Sequence, residues 1–252
     1  MAMTSIVVPN DDGVDYPADD GEPMCDNPWQ FDVMVDLVVR LRTHFQPRAD
    51  EVAVFGNMLW YPRRGDNRYR RGPDAMVAFG RPQTPYPDCW KQWMEGDLGF
   101  AFVAEVLSPS NTRREMKEKR EWYRVNGVLE YLVFDPDRGG LEGWVRRGDL
   151  LVDVADDDEV WTSDLLGITF SSREVGPGQH VLDMRQTADG SVLYGVADGA
   201  LRAEVAEHAA RAMERELEAA QADAAAAQAD AAAARSEAER LTVMLRSAGI
   251  EP

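Results

Sequence analysis

Cysteine and histidine are scarce in this chain of 252 residues. Cys25 and Cys89 are the only cysteines and stand far apart, which leaves no material for a disulfide framework or a cysteine-based zinc site. His44, His180 and His208 are the only histidines, and no metal-binding spacing joins them. Zinc-protease and HNH-type nuclease chemistry are thereby excluded. The chain also lacks a Gly-rich phosphate loop ending in Lys-Ser/Thr, and a G-x-S-x-G nucleophile elbow. No apolar run approaches the roughly 18 residues that span a bilayer. Met1–Val8 carries no basic n-region and runs into Asp11, Asp12 and Asp15, which argues against a secretory leader. The expectation is a cytoplasmic protein with no membrane association.

Basic residues are also short: 27 Lys and Arg face 45 Asp and Glu, a formal net charge of −18. Such acidity excludes a generic nucleic-acid coat, whose affinity comes from clustered cations. The charge is uneven. Residues 1–28 hold seven acids and no base, whereas Arg63, Arg64, Arg68, Arg70 and Arg71 face only Asp66 within residues 63–71. A second basic stretch, 113–124, carries six bases and three acids. Taken alone, either island reads as a solvated loop or helix face.

Three segments are expected. Residues 1–28, rich in Asp, Gly and Pro, read as an irregular acidic arm. Residues 29–199 form the globular domain. Asn27-Pro28 opens a helix along which Phe31, Met34, Val35, Val38 and Leu41 recur until Pro47. One strand is predicted from Val52 and Val54 towards Met58 and Trp60, and another over Asp74–Phe79, joined by the Arg63–Gly72 loop. Residues 80–98 read as an excursion from the core. Phe100–Leu107 is apolar on both faces, as a central strand should be. Thr112-Arg-Arg-Glu115 has the capping-box pattern and opens a helix to about Val125, stopped by Gly127. Glu130–Phe134, a hairpin of Leu141–Val145 with Leu150–Val154, and shorter strands near Val160 and Ile168–Phe170 complete a mixed α/β sheet with flanking helices. From 200 to 248 there is neither Gly nor Pro, and the heptad Gln221–Ala227 repeats unchanged as Gln228–Ala234. A long C-terminal α-helix follows over 200–252, a candidate coiled coil and homo-oligomer contact.

The remaining chemistry is an acidic pair with a lysine. Ser108 and Ser110 sit in a Ser-Pro-Ser turn with no base suggested nearby and read as turn residues. Asp74 begins one predicted strand, and Glu105 lies inside the apolar run of the next. A buried carboxylate needs a cation, a metal or donors. If the two strands are neighbours, the two carboxylates meet at one sheet edge and suit Mg²⁺, which prefers oxygen ligands. On the following helix, Glu115, Lys119 and Tyr123 are four residues apart and share a face. Lys119 is then placed to stabilise charge developing on a phosphate. Simpler roles stand beside these. Asp74 can cap a strand, Glu105 can pair with an arginine of the 63–71 loop, Glu115 can serve Thr112, and Lys119 can be a solvated charge.

The run Glu105-Val-Leu-Ser-Pro-Ser through Lys119 and Tyr123, then Asn126-Gly-Val-Leu-Glu-Tyr-Leu-Val-Phe-Asp-Pro136, with Pro73-Asp74 upstream, resembles the Uma-type family of restriction endonucleases. That family is a branch of the PD-(D/E)XK nuclease superfamily. The similarity covers about residues 25–175, plus a helical end at Ala238–Pro252. It implies a restriction-endonuclease-like fold, Asp74 and Glu105 as ligands of Mg²⁺ (or Mn²⁺), and Lys119 in place of the superfamily lysine, since Leu107 stands where that lysine normally does. Two positions depart from the family: Glu115 where Asp is usual, and Leu132 where Trp is usual. A histidine often found near the start of the first helix has no counterpart beside Pro28-Trp29.

The expected function is therefore a Mg²⁺-dependent endonuclease acting on nucleic acid, DNA in particular. Asp74, Glu105 and Lys119 are its catalytic residues, and Glu115 and Tyr123 support them. Arg63, Arg64, Arg68, Arg70, Arg71, Arg113 and Arg114 are the backbone contacts. The alternative is an inactive nuclease fold that assembles partners through its C-terminal helix.

Overall fold

The computed structural model describes residues 13–195, apart from 20, 22–24 and 155–159. The predicted helix over 200–252 and the first twelve residues of the arm lie outside the described residues.

The first helix, α1 (Pro28–Phe45), begins as its sequence requires: Asn27 Oδ1 accepts the N–H of Gln30 at 2.8 Å, and Pro28 occupies the first turn. Its buried stripe is Val33, Met34, Leu37, Val38, Leu41 and Phe45, whereas Phe31 is exposed. A short 3₁₀ turn at Gln46–Arg48, containing Pro47, ends it. The strands β1 (Val52–Phe55), β2 (Trp60–Tyr61), β3 (Ala75–Phe79), β4 (Trp90–Lys91) and β5 (Phe102–Val106) precede α2 (Arg113–Val125). After α2 come β6 (Glu130–Phe134), β7 (Leu141–Arg147), β8 (Leu150–Asp153), β9 (Val160–Ser163), β10 (Ile168–Gly176) and β11 (Gln179–Gln186). Gly127 turns the chain out of α2 at φ +87°, a conformation open to glycine.

The main sheet has the order β1-β3-β5-β6-β7-β8, and its only parallel neighbours are β5 and β6, with α2 as the crossover between them. A second sheet, β11-β10-β9, and the short parallel pair β2-β4 complete the strands. Both faces of the main sheet are buried at β1, β3, β5 and β6, which explains why β5 is apolar apart from Glu105. On one face α1 and the β9–β11 sheet pack against Val54, Val77, Ala104 and Leu132. On the other, Trp122 and Tyr123 of α2 join Trp60 and Trp90 over Met76, Val103 and Tyr131.

Three expectations change. The strand from Val52 ends at Phe55: the chain turns at Asn57 (φ +47°), and Trp60-Tyr61 pairs instead with Trp90-Lys91. Residues 80–98 are therefore not wholly outside the core, since Trp90 returns to it, fully buried against Phe55 and Phe100. The strand at Ile168 runs on to Gly176 and forms a long hairpin with β11, turned by Gly176-Pro177-Gly178. Exposed Arg173 and Glu174 blur its alternation.

The arm is irregular where described, yet Tyr16 is only 6% exposed and packs against Tyr61 and Trp93. Tyr61 Oη donates to Pro17 O at 2.7 Å, and Tyr16 Oη accepts from Gly65 N at 2.6 Å.

The last described residues are clamped onto α1. Arg40 Nε pairs with Asp36 Oδ2 at 2.6 Å, and Arg40 also donates to Leu193 O at 2.7 Å. Gly195 lies so close that a Cβ there would fall inside the Asp36 carboxylate. Both ionic side chains are under one-tenth exposed. Asp36→Ala leaves the guanidinium buried without its counter-ion, with an expected loss of about 3 kcal/mol in urea unfolding. A loss within experimental error would show that the clamp carries no net stability.

Candidate active site

The register of β3 on β5 pairs Ala75 with Ala104, so one residue further along Asp74 stands opposite Glu105. Directly opposed residues of an antiparallel pair project to the same face. Here that face is the one carrying Met76, Val103 and α2. Asp74 Oδ2 accepts the N–H of Val106 at 2.7 Å. Glu105 is 3% exposed, and two residues of α2 supply the donors that its burial requires. Lys119 Nζ donates to Oε2 at 2.9 Å, and the Tyr123 hydroxyl donates to Oε1 in a short hydrogen bond. The four-residue spacing of Lys119 and Tyr123 lets both reach one carboxylate. Glu105 thus pairs with Lys119, and no arginine of the 63–71 loop reaches it.

Glu115 lies one turn before Lys119, its carboxylate 3.8 Å from Nζ, and it accepts from Asn111 Nδ2 at 3.3 Å. Thr112 Oγ1 accepts the N–H of Glu115 at 3.2 Å, which is half of the expected capping box; the glutamate side chain turns to Asn111 and Lys119. Gln30 went unnoticed in the sequence. It is buried at the start of α1, where Nε2 donates to Val106 O at 2.9 Å and Oε1 accepts from Asp26 N at 2.9 Å. Val106 is thus held on both sides, by Asp74 at its N–H and Gln30 at its carbonyl. A single glutamine at a helix start carries no signal of this contact.

Gln30, Asp74, Glu105, Val106, Glu115 and Lys119 line a cleft of roughly 790 Å³, joined by Asp19, Asp26, Ser108, Asn111 and Arg71. Ser108 and Ser110 hydrogen-bond each other at 2.9 Å, and their hydroxyls hold the Asp26 carboxyl below its usual range. They are turn residues, as expected. Next to the cleft, Arg68, Arg70 and Arg71 line a cavity of about 420 Å³ with Lys119 and Tyr123. The structure therefore brings three of the five loop arginines to Lys119. Arg63 and Arg64 line neither space, and Arg63 stacks on Tyr69 at 3.7 Å from the ring centre. Arg113 lies on the other side of the Ser108–Asn111 turn, and Arg114 is exposed and paired with Glu118 at 2.9 Å.

Burial, and then the neighbouring Glu105 carboxylate, push Asp74 up to about 8, against smaller opposing effects of the Val106 N–H and Lys119. For Lys119, burial works against its charge, but the carboxylates of Glu105, Asp74 and Glu115 outweigh it and hold the ammonium above its ordinary value. Burial and Glu105 keep the Tyr123 phenol protonated well beyond the usual range. Lys119 and Tyr123 are therefore fixed donors at neutral pH.

Asp74 has a consequence for stability. Its pKa is higher in the folded protein than the ordinary 3.8, so between these values the folded state binds more protons than the unfolded one. Metal-free protein should lose stability as pH rises from about 4 to about 8. Asp74→Asn should flatten that decline, so that its Tm relative to wild type rises over the same window. Parallel Tm profiles for the two proteins in EDTA would contradict the proton assignment.

Among the described residues, no group of three or more His, Cys, Asp or Glu side chains converges as a metal cage. Asp74 and Glu105 are the carboxylates that stand opposite each other in this cleft, which Asp19, Asp26 and Glu115 also line. Two carboxylates fit Mg²⁺, which keeps most of its positions for water and substrate phosphate. The Asp74 carboxyl is raised by burial first and by the neighbouring Glu105 carboxylate second.

A mixed-sheet α/β domain with opposed carboxylates, a buried lysine and an arginine rim is the setting in which the comparisons fall. Residues 8–174 match the model of the Uma2 family, described as "Putative restriction endonuclease". The chain belongs to this family. A solved structure, of a "putative nuclease belonging to DUF820" from Anabaena variabilis ATCC 29413, is similar over 56% of this chain and 74% of its own, at 12% identity and a TM-score of 0.42. No curated protein matches the chain. No helix of the described residues is long and apolar enough to cross a membrane.

Proposed function

We propose that this protein is a divalent-metal-dependent endonuclease that hydrolyses phosphodiester bonds of DNA. The observation that carries the reading is the placement of Asp74 opposite Glu105, with Lys119 on Glu105, in a cleft bordered by Arg71. Membership of a family described as restriction endonucleases supports the same reading.

Asp74 and Glu105 would hold Mg²⁺ or Mn²⁺, which supplies Lewis acidity towards the phosphate and the attacking water when bound. The rest is the work of this chain's own groups. Lys119 stays protonated and so acts by charge rather than as a base, donating from Nζ to a phosphate oxygen as negative charge builds there. Tyr123 holds Glu105 in one orientation through Oε1, and Gln30 and Asp74 fix the strand end at Val106. Arg68, Arg70 and Arg71 attract and orient the backbone without reading sequence.

Incubation of supercoiled plasmid with the protein in Mg²⁺, in Mn²⁺ and in EDTA tests the proposal. Nicked or linear product that EDTA abolishes is the expected result. Intact plasmid under every ion would leave an interaction module as the better reading. Pairing of two chains through the alanine-rich 200–252 segment belongs to the same proposal, and light scattering on the full chain and on a chain lacking 200–252 tests it.

A further inference from the structure

The six cations of α2 fall into two groups. Arg114 pairs with Glu118 at 2.9 Å, Arg124 with Glu121 at 2.7 Å, and Lys119 with Glu105 at 2.9 Å. Arg113, Lys117 and Arg120 make no ion pair among the described residues. They stand at i, i+4 and i+7 and therefore share one face of the helix. All three line a cleft of roughly 660 Å³ on the other side of the Ser108–Asn111 turn from the carboxylates. Arg138, from the turn between β6 and β7, lines the same space and is likewise without an ion pair. In a chain of net charge −18, four unpaired cations around one cavity are a concentration that folding does not need.

A second observation points the same way. Tyr131, on β6, also lines this space; its side chain is 0% exposed, and its hydroxyl is buried with no hydrogen-bond partner. Buried hydroxyls are normally satisfied, so an unpartnered donor on a residue of the cavity wall is free to bond an acceptor that reaches it. Burial, and then the nearby Glu105 and Asp74 carboxylates, keep that phenol protonated, hence a donor. Acids are present too. Asp135 Oδ1 is occupied by the N–H groups of Asp137 and Arg138, at 3.0 and 3.1 Å, while Asp137 and Glu142 remain on the wall. Arg120 lies 4.8 Å above the Trp144 ring, which fixes its position beside the cavity. Ser108 and Asn111 line both this space and the carboxylate cleft, so the two are neighbours along one track.

We propose that this cavity binds a flanking phosphate of the nucleic-acid strand whose scissile phosphate lies in the Asp74–Glu105 cleft, with Arg113, Lys117, Arg120 and Arg138 supplying charge and the Tyr131 hydroxyl a hydrogen bond. The assignment rests on the nuclease reading for the identity of the strand, but its test reads binding and not cleavage.

Fluorescence anisotropy of a labelled DNA duplex, in Ca²⁺ over a salt series, compares wild type with Arg113→Glu/Lys117→Glu. The control is Arg48→Glu/Arg173→Glu, which makes the same charge change at sites paired with Glu51 and Asp183. The cavity variant should bind at least about tenfold more weakly, with a salt slope shallower by about 1.8 for two lost phosphate contacts. The control should stay within about twofold of wild type. Tyr131→Phe, which keeps the ring packing, should lose about threefold. Equal losses in the cavity and control variants, or no loss in the cavity variant, would overturn the proposal, as would a wild type that binds no DNA. If Arg113→Glu/Lys117→Glu is unstable by CD, Arg113→Gln/Lys117→Gln serves with the same expected ordering. A mononucleotide that displaces duplex at micromolar concentration from wild type would assign the cavity to free nucleotide and overturn the strand assignment. Duplex binding that depends on the cavity, in a protein that never cuts, would sink the nuclease reading alone; cutting without dependence on the cavity would sink this one alone.

Discussion

Glu105→Gln should abolish plasmid cleavage while leaving the protein folded, a loss of about a thousandfold or more on the scale of removing a group that shapes transition-state electrostatics. The choice of glutamine follows from the site. Glu105 is the acceptor for both Lys119 Nζ and the Tyr123 hydroxyl. Alanine would leave a buried ammonium without its counter-ion and a buried hydroxyl without an acceptor, a combination that costs about 3–5 kcal/mol. Glutamine keeps the side-chain volume and one acceptor oxygen for Tyr123, while it removes the charge and turns the acceptor of Lys119 into an NH₂ donor. A Glu105→Ala protein that fails to fold would therefore be uninformative about catalysis, whereas a folded Glu105→Gln enzyme that cuts at the wild-type rate would refute the catalytic assignment. Folding is read by near-UV CD and urea midpoint, and cleavage by single-turnover conversion of supercoiled plasmid.

The second large effect is expected at Lys119. Lys119→Met should lower the single-turnover rate at saturating DNA by about 10²–10³-fold, in the range of losing one preorganised donor to a developing oxyanion. Lys117→Met, two residues earlier and about 200° away around the helix, should leave that rate nearly unchanged and raise the DNA concentration needed for saturation. The contrast separates chemistry from attraction. Equal rate losses at the two positions would mean that α2 contributes only bulk positive charge, and Lys119 would then be a structural partner of Glu105. Lys119→Met also leaves Glu105 short of a cation, so its urea midpoint must be recorded beside the rate.

Much of this site was legible because its parts lie on strongly patterned elements. The Phe100–Leu107 run announced a strand buried on both faces, and an acid inside it had to find donors; β5 and the Lys119–Tyr123 pair answer that demand. The Thr112 cap and the four-residue spacing of Glu115, Lys119 and Tyr123 fixed which face of α2 would meet the sheet. The stop near Gly127 followed from a glycine just past the helical pattern, and the structure has it at φ +87°. What escaped depends on contacts distant in sequence. Gln30 acts through Val106, 76 residues away, and nothing local distinguishes it from a solvated glutamine. Trp90 returns to the core between prolines and polar residues, where no period could form. Phe31 fits the apolar rhythm of α1 yet faces outward, because Val33 and Leu37 set the stripe that meets the sheet. The division of the basic islands was equally hidden: which arginines face a cleft and which serve a neighbouring acid depends on helix rotation and loop path, and composition records neither.

Helix α1 joins two places that the chain separates by most of the domain. At its first turn Gln30 grips the carbonyl of Val106, next to the glutamate, and at Arg40 it grips Leu193 near the end of the described chain. Ten residues of helix, about 15 Å, lie between these grips. A force drawing on residues 193–195 would bear on a stiff rod whose other end steadies β5. The links that would bear it are the Arg40–Leu193 hydrogen bond and the packing of Gly195 on the Asp36 carboxylate. The strand end that carries Glu105 and the last described residues are therefore held by one and the same helix.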